Sequence, residues 1–145
     1  TKTRKNKNTK KQKHEKTKSP KINLQKHRKL PSMKKFALVL DLVDDPTLIA
    51  EYEKYHQEVW PEILKSIRDS GIIQMEIYRF SNRLFMTMET EDDFSFEQKA
   101  EMDSQNPKVQ EWETLMWKYQ QALPGTPPGA KWLPAKLVFQ LQLGE

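Results

Sequence analysis

Tyr52, His56 and Trp60, three side chains with complementary chemistry, follow one another at intervals of four residues. On a helix this spacing places them on one face. Histidine gives and takes protons near neutral pH because its unperturbed pKa is about 6.5. Aromatic rings beside it can pack on the C–H face of a pyranose, whose hydroxyls need donors and acceptors. The stripe is therefore a candidate acid–base site for a ring rich in hydroxyls.

Structural interpretations of the same residues stay open. A single histidine on a helix is more often solvated or simply hydrogen-bonded than catalytic. Tyr52 continues an apolar stripe and could belong only to the core, and the Trp60-Pro61 step is typical of a helix boundary. Trp112 and Trp117 are interpreted as residues of the core or of a subunit interface.

Other chemistries have little support in the composition. The chain has no cysteine and only three histidines, of which His14 and His27 lie in a basic N-terminal segment, so no transition-metal site is expected. Its four glycines form no phosphate-binding loop, and we predict no cofactor. No apolar run approaches the ~20 residues of a membrane helix, and no secretory signal is visible, so a cytoplasmic location is predicted.

Charge divides the sequence in two. Residues 1–32 hold 13 of the 25 basic residues and one of the 20 acidic ones, which gives them a net charge of +12 and leaves −7 for the rest. This segment has too few apolar side chains to offset its loss of backbone entropy, and we predict that it is disordered. Since Met33 precedes the first predicted strand, we expect a tag or mistranslated upstream residues, and expect no nucleic-acid binding despite the charge.

Residues 33–145 are predicted to form one domain with helices and strands in alternation. Asp45-Pro46 and Asn106-Pro107 are typical helix starts, and Gly71 is typical of the residue after a helix. Pro61 lacks the N–H that would bond the Gln57 carbonyl, so the first helix should kink or restart there. The predicted elements are strand 35–43, a helix from Pro46 to Gly71, strands 72–80 and 83–89 joined at Ser81-Asn82, helix 92–105, a helix from Pro107 to Leu123, and strand 136–143.

This order predicts an α+β fold of the ferredoxin-like βαββαβ type, an antiparallel sheet with helices on one face. The strands carry apolar residues on both faces. A homodimer that packs sheet against sheet would cover the second face.

The segment from Glu51 to Ile63 resembles the signature of the L-rhamnose mutarotase family. The shared pattern is Tyr52, then His56 four residues later, then Trp60-Pro61-Glu62 and an aliphatic residue. The resemblance continues at Gly71, Ile77-Tyr78, Leu84-Phe85 and Trp117-Lys118-Tyr119 and covers Lys35 to about Leu141.

The resemblance implies a dimeric α+β barrel that interconverts the α and β anomers of a free sugar without a cofactor. It places the family's proton donor at His56 and substrate contacts at Tyr52 and Trp117. Two positions depart from the rhamnose pattern: a second tryptophan is Met116, and a further tyrosine is Met75, with Tyr78 three residues along. The segment between the third strand and the last helix is also longer.

We therefore predict a mutarotase, hence an isomerase, for a 6-deoxy-L-hexose, either L-rhamnose or L-fucose. The predicted catalytic residues are His56 and Tyr52. The predicted substrate contacts are Tyr52, Trp60, Met75, Tyr78, Met116 and Trp117. Because the same fold supports other activities, the alternatives are a cofactor-free oxygenase and a small-ligand-binding module.

Overall fold

The computed structural model describes residues 33–142, and the predicted disorder of residues 1–32 lies outside them. The described chain contains four helices and five strands. They are β1 Lys34–Leu42, α1 Pro46–Gln57, α2 Pro61–Asp69, β2 Ile72–Phe80, β3 Arg83–Thr90, α3 Phe96–Ser104, α4 Pro107–Trp117, β4 Gln120–Gln121 and β5 Leu133–Pro134.

Side-chain caps determine where the helices begin. The Asp45 carboxylate accepts hydrogen bonds from the backbone N–H groups of Thr47 and Leu48, and Asn106 caps α4 in the same way. Both helices then start with proline, as predicted. At the other end of α2, Gly71 has a positive φ of 96°, a conformation that favours glycine, and returns the chain to the sheet.

The sheet is antiparallel with the strand order β2-β3-β1-β4, and β5 also pairs with β1. Strand alternation separates its two faces. Leu38, Met86 and Ile77 form one cross-strand row toward the helices, whereas Val39, Phe85 and Tyr78 form a row on the opposite, outer face. The predicted ferredoxin-like α+β architecture, with helices on one face, is confirmed.

Two buried clusters on the helix side hold the layers together. One contains Leu38, Ile72, Met86, Met88 and Phe94. The other contains Leu42, Tyr52, Leu84, Met116 and Tyr119. The fully buried side chains of Leu40, Leu42 and Leu84 contribute about 1.5–3 kcal/mol each through burial.

The last predicted strand is wrong for this chain taken alone. Residues 136–142 form no strand, and two short strands, β4 and β5, pair with β1 instead. The apolar side chains of the segment are almost fully exposed: Leu137 71%, Val138 90%, Phe139 77% and Leu141 78%. The alternating pattern is typical of a strand, but the segment finds no neighbouring strand among the described residues. α3 also begins later than predicted, because Ser95 caps it.

Candidate active site

A cavity of about 920 Å³ lies between the helices and the sheet. This volume is at the upper end of the range usual for small-molecule sites. The sheet contributes Leu38, Met75, Ile77, Met86 and Met88 to its lining, and α1 contributes Tyr52 and His56. The cavity is therefore mostly apolar with a few polar groups.

His56 lines this cavity and is half-buried in the last turn of α1. Its Nδ1 lies 2.8 Å from the Tyr52 carbonyl oxygen. Since a carbonyl can only accept, Nδ1 carries the proton, and Nε2 is the nitrogen left for proton transfer. Burial lowers the pKa of His56 below its ordinary value of 6.5, and the bond to the Tyr52 carbonyl offsets part of that effect. The neutral imidazole therefore predominates near pH 7.

Aromatic rings enclose the imidazole on two sides. The Tyr52 ring centroid lies 4.2 Å from that of His56, and the Trp112 ring meets His56 edge-on at 5.6 Å. Trp60 packs edge-on against Trp112, with their ring centroids 5.1 Å apart. Trp112 is thus the tryptophan that contacts His56, and Trp60 contacts Trp112.

The break between α1 and α2 explains why Trp112, and not Trp60, lies beside His56. α1 ends at Gln57 and α2 begins at Pro61, so the predicted restart at Pro61 is confirmed. Trp60 lies in the break, outside both helices, and no longer continues the face of Tyr52 and His56. It does not line the cavity, and its predicted substrate contact stays a prediction.

Four of the predicted site residues come together in the cavity, namely Tyr52, His56, Met75 and Met116. Tyr78 does not, because it alternates to the outer face, where its hydroxyl bonds Glu76 and its side chain is 56% exposed. Trp117 also lies outside the cavity lining, at the end of α4, with the Lys131 ammonium 4.6 Å from its ring centroid. The structure thus places Tyr78 and Trp117 outside the cavity lining, and their predicted substrate contacts stay predictions.

Trp112, Gln120, Lys131 and Trp132 are among the lining residues that the sequence did not predict as site residues. Trp112 lies on the same face of α4 as Met116, a spacing that was interpreted as core. Gln120 is in β4 and Lys131 comes just before β5, where no pattern in the sequence marks them. Burial lowers the pKa of Lys131, whose ammonium donates to the Glu113 backbone carbonyl at 3.1 Å.

Tyr52 is 3% exposed, and burial raises its pKa to about 12, which the neighbouring Gln120 amide partly opposes. Its phenol therefore keeps its proton at neutral pH and acts as a donor. Within residues 33–142, no three metal-ligating side chains lie close enough together to hold an ion, and no helix combines the length and apolarity needed to cross a bilayer.

The fold and the site together define an α+β protein that holds a half-buried imidazole in a cavity of ligand size. The family model described as L-rhamnose mutarotase matches residues 35–141. The chain belongs to the L-rhamnose mutarotase family, and the predictions of a sugar mutarotase and of an isomerase are confirmed.

Three relatives illustrate this kinship. An L-fucose mutarotase of Xanthomonas campestris is 46% identical over 112 residues, which cover 76% of this chain and 90% of the relative. An L-rhamnose mutarotase of Enterococcus faecalis is 31% identical over 66% of this chain and 89% of its own. The crystal structure of an L-rhamnose mutarotase from Formosa agariphila matches with a TM-score of 0.56 and 22% identity, covering 75% of this chain and 99% of its own, which supports the fold.

Proposed function

We propose that this chain interconverts the α and β anomers of L-fucose, with His56 as the group that moves the proton. The observation that carries the proposal is the half-buried imidazole in the cavity, with its Nδ1 held by the Tyr52 carbonyl. The choice of L-fucose rests on the relatives, because identity to the L-fucose mutarotase is 46%, against 31% for an L-rhamnose mutarotase. The family assignment favours this reaction over an oxygenase or a simple binding module.

Mutarotation needs the hemiacetal ring to open and close again. In our mechanism, neutral His56 accepts the proton of the C1 hydroxyl at Nε2 as the C1–ring-oxygen bond breaks and C1 becomes a carbonyl. The imidazolium then gives that proton to the ring oxygen. Both oxygens are bonded to C1, so one imidazole can serve both. After rotation about C1–C2, the same steps in reverse give the other anomer.

Tyr52 is the proposed partner of His56. A phenol whose pKa is about 12 stays protonated, so Tyr52 donates a hydrogen bond to a sugar oxygen and does not remove the C1 proton. Met75 and Met116 line the same cavity and offer apolar surface, which suits the C6 methyl of a 6-deoxy sugar. Trp112 replaces Trp60 and Trp117 as the proposed ring for the C–H face of the sugar.

The pH dependence tests which form of His56 starts the reaction. Because burial lowers the pKa of His56 below 6.5, the neutral base already predominates near neutral pH. We expect kcat/KM for exchange to be level between about pH 7 and 8 and to fall at lower pH, with an apparent pKa under 6.5. NMR saturation transfer, corrected for the uncatalysed reaction at each pH, measures it. A kcat/KM that rises as the pH drops below 6.5 would assign the first step to the imidazolium instead.

The substrate is tested by measuring anomer exchange with L-fucose, L-rhamnose, D-galactose and D-ribose at equal concentrations. We expect the largest kcat/KM with L-fucose. D-Galactose has the mirror-image ring and a hydroxyl at C6, and it should exchange at least about 10-fold more slowly. A preference for L-rhamnose would keep the reaction and overturn the sugar. The absence of catalysed exchange with all four sugars would overturn the function.

We also propose that the protein works as a homodimer. The outer face of the sheet exposes apolar side chains in adjacent strands, with Tyr78 at 56%, Phe80 at 77% and Phe85 at 40%. The apolar residues of segment 136–142 are exposed as well. A monomer rarely leaves such a surface uncovered. A second copy presents the same surface and can cover it by twofold symmetry.

The basic segment 1–32 takes no part in this proposal. A variant without it should exchange L-fucose anomers at the full rate, and it serves as the control for any nucleic-acid binding of the whole chain. A cytoplasmic location and the lack of any cofactor stay predictions.

A further inference from the structure

Gln120 has a buried polar side chain that has no role in the proposed mechanism. It is 8% exposed and lines the cavity that holds His56. Its side-chain oxygen, Oε1, is buried and has no hydrogen-bond partner. Among the buried side-chain oxygen and nitrogen atoms of the described residues, it is the one left unpaired. Buried acceptors of this kind are rare in folded proteins because burial removes the water that would otherwise bond them.

The position of Gln120 is fixed by its surroundings. Its backbone lies opposite Leu42 of β1 in the short β4 pairing. The preceding residue, Tyr119, is 2% exposed, and its hydroxyl bonds Glu51 of α1 at 2.9 Å. β4 is thus tied to the sheet on one side and to α1 on the other. The backbone that carries the amide is therefore positioned at the cavity wall before any ligand arrives.

The neighbours of Gln120 complete a polar end of the cavity. Its amide is close enough to the Tyr52 phenol to affect the pKa of that group, and the Tyr52 ring contacts His56. Tyr52 supplies a hydrogen-bond donor, and Gln120 Oε1 supplies an acceptor. A sugar hydroxyl both donates and accepts, so it matches this pair. The remaining lining around the two groups is largely apolar, which strengthens any hydrogen bond formed there.

We propose that Gln120 determines specificity by accepting a hydrogen bond from one hydroxyl of the bound sugar, away from C1. The proposal rests on the proposed function and adds to it a residue that selects among sugars. A cavity that leaves its acceptor unpaired discriminates strongly, because a sugar without a hydroxyl at that point leaves Oε1 unsatisfied. His56 can perform the same chemistry on any sugar that fits, whereas Gln120 selects those with a correctly placed hydroxyl.

The test is a double-mutant-type cycle that combines one substitution in the protein with the removal of one hydroxyl from the sugar. Gln120→Met removes the acceptor with little change in side-chain length. Anomer exchange is measured for the full-length wild type and variant with L-fucose and with its 2-deoxy, 3-deoxy and 4-deoxy derivatives. We expect Gln120→Met to raise KM for L-fucose about 10-fold, the factor of one hydrogen bond, with a smaller change in kcat.

One deoxy derivative should identify the hydroxyl that Gln120 contacts. For wild type, kcat/KM with that derivative should be about 10-fold lower than with L-fucose. For Gln120→Met, the two sugars should give nearly the same kcat/KM, because the hydrogen bond is already absent. The other two derivatives should lose equal factors in both proteins. Gln121→Met is the matched control, since Gln121 is exposed and absent from the cavity lining, and it should leave every KM unchanged.

Two results would overturn the inference. One leaves the proposed function intact, and the other overturns the proposed function as well. Equal losses for all three derivatives in wild type and Gln120→Met would show that the amide contacts no hydroxyl, although wild-type exchange of L-fucose would keep the proposed function intact. If wild type exchanges none of these sugars, both proposals fail together. Thermal unfolding separates a purely structural role. Oε1 is unpaired in the free protein, but the amide also interacts with the buried Tyr52 phenol. A lower Tm with no sugar-dependent change in KM would therefore assign Gln120 a purely structural role.

Discussion

Replacing His56 by alanine should slow the catalysed exchange of L-fucose anomers by about 10²–10⁴-fold, the contribution usual for one acid–base group. The variant loses the Nε2 that takes the C1 proton and returns it to the ring oxygen. Tyr52 cannot replace it, because a phenol with a pKa of about 12 is a poor base at neutral pH. Water in the emptied space would support only slow exchange.

Saturation-transfer NMR at pH 7.5, with the uncatalysed rate subtracted, measures this loss. Lys54→Ala is the matched control, since Lys54 is exposed on the same turn of α1 and should retain the wild-type rate. Circular dichroism and thermal unfolding of both variants check that α1 is intact. Wild-type exchange by a folded His56→Ala protein would remove His56 from the mechanism.

Introducing a charge at the outer face of the sheet should convert the proposed dimer to a monomer. Phe85 lies between Val39 and Tyr78 in the central cross-strand row of that face. An aspartate there would be buried without a partner in a sheet-to-sheet dimer, at a cost of several kcal/mol. We expect Phe85→Asp to weaken dimerisation by at least about 100-fold.

Sedimentation equilibrium across a dilution series measures the dimer dissociation constant. Met102→Asp is the matched control, because Met102 is 44% exposed on α3, away from the outer face, and should leave the association unchanged. Removal of residues 136–145 tests the contribution of the C-terminal segment and should also favour the monomer. A wild-type protein that sediments as a monomer at micromolar concentration would contradict the proposal at once.

Local sequence signals predicted most of the fold. Asp45-Pro46 and Asn106-Pro107 set two helix starts, and Pro61 divided the first helical stretch, because capping and the missing proline N–H depend on adjacent residues only. The strand at 136–143 failed for the opposite reason. Its apolar and polar residues do alternate, but a strand also needs a neighbouring strand to pair with, and the alternation does not identify one.

The residues of the site also fall into those that local sequence signals predict and those that they do not. Tyr52 and His56 follow from helical spacing and from the family pattern, and both line the cavity. The outer-face position of Tyr78 could not be predicted, because the spacing along a strand does not tell which face lines the cavity. Gln120 and Lys131 could not be found at all, since β4 and the loop before β5 reach the cavity only through tertiary packing.

The bond between His56 and the Tyr52 carbonyl has a consequence for changing the enzyme. The tautomer of the imidazole is set by a backbone carbonyl, and substitution of a side chain that lines the cavity does not remove that carbonyl. Residues such as Met75 and Met116 can therefore be randomised in a library while the tautomer of His56 is retained. Such libraries could yield catalysts for new aldoses from one unchanged reactive centre, and natural divergence of sugar choice could follow the same route.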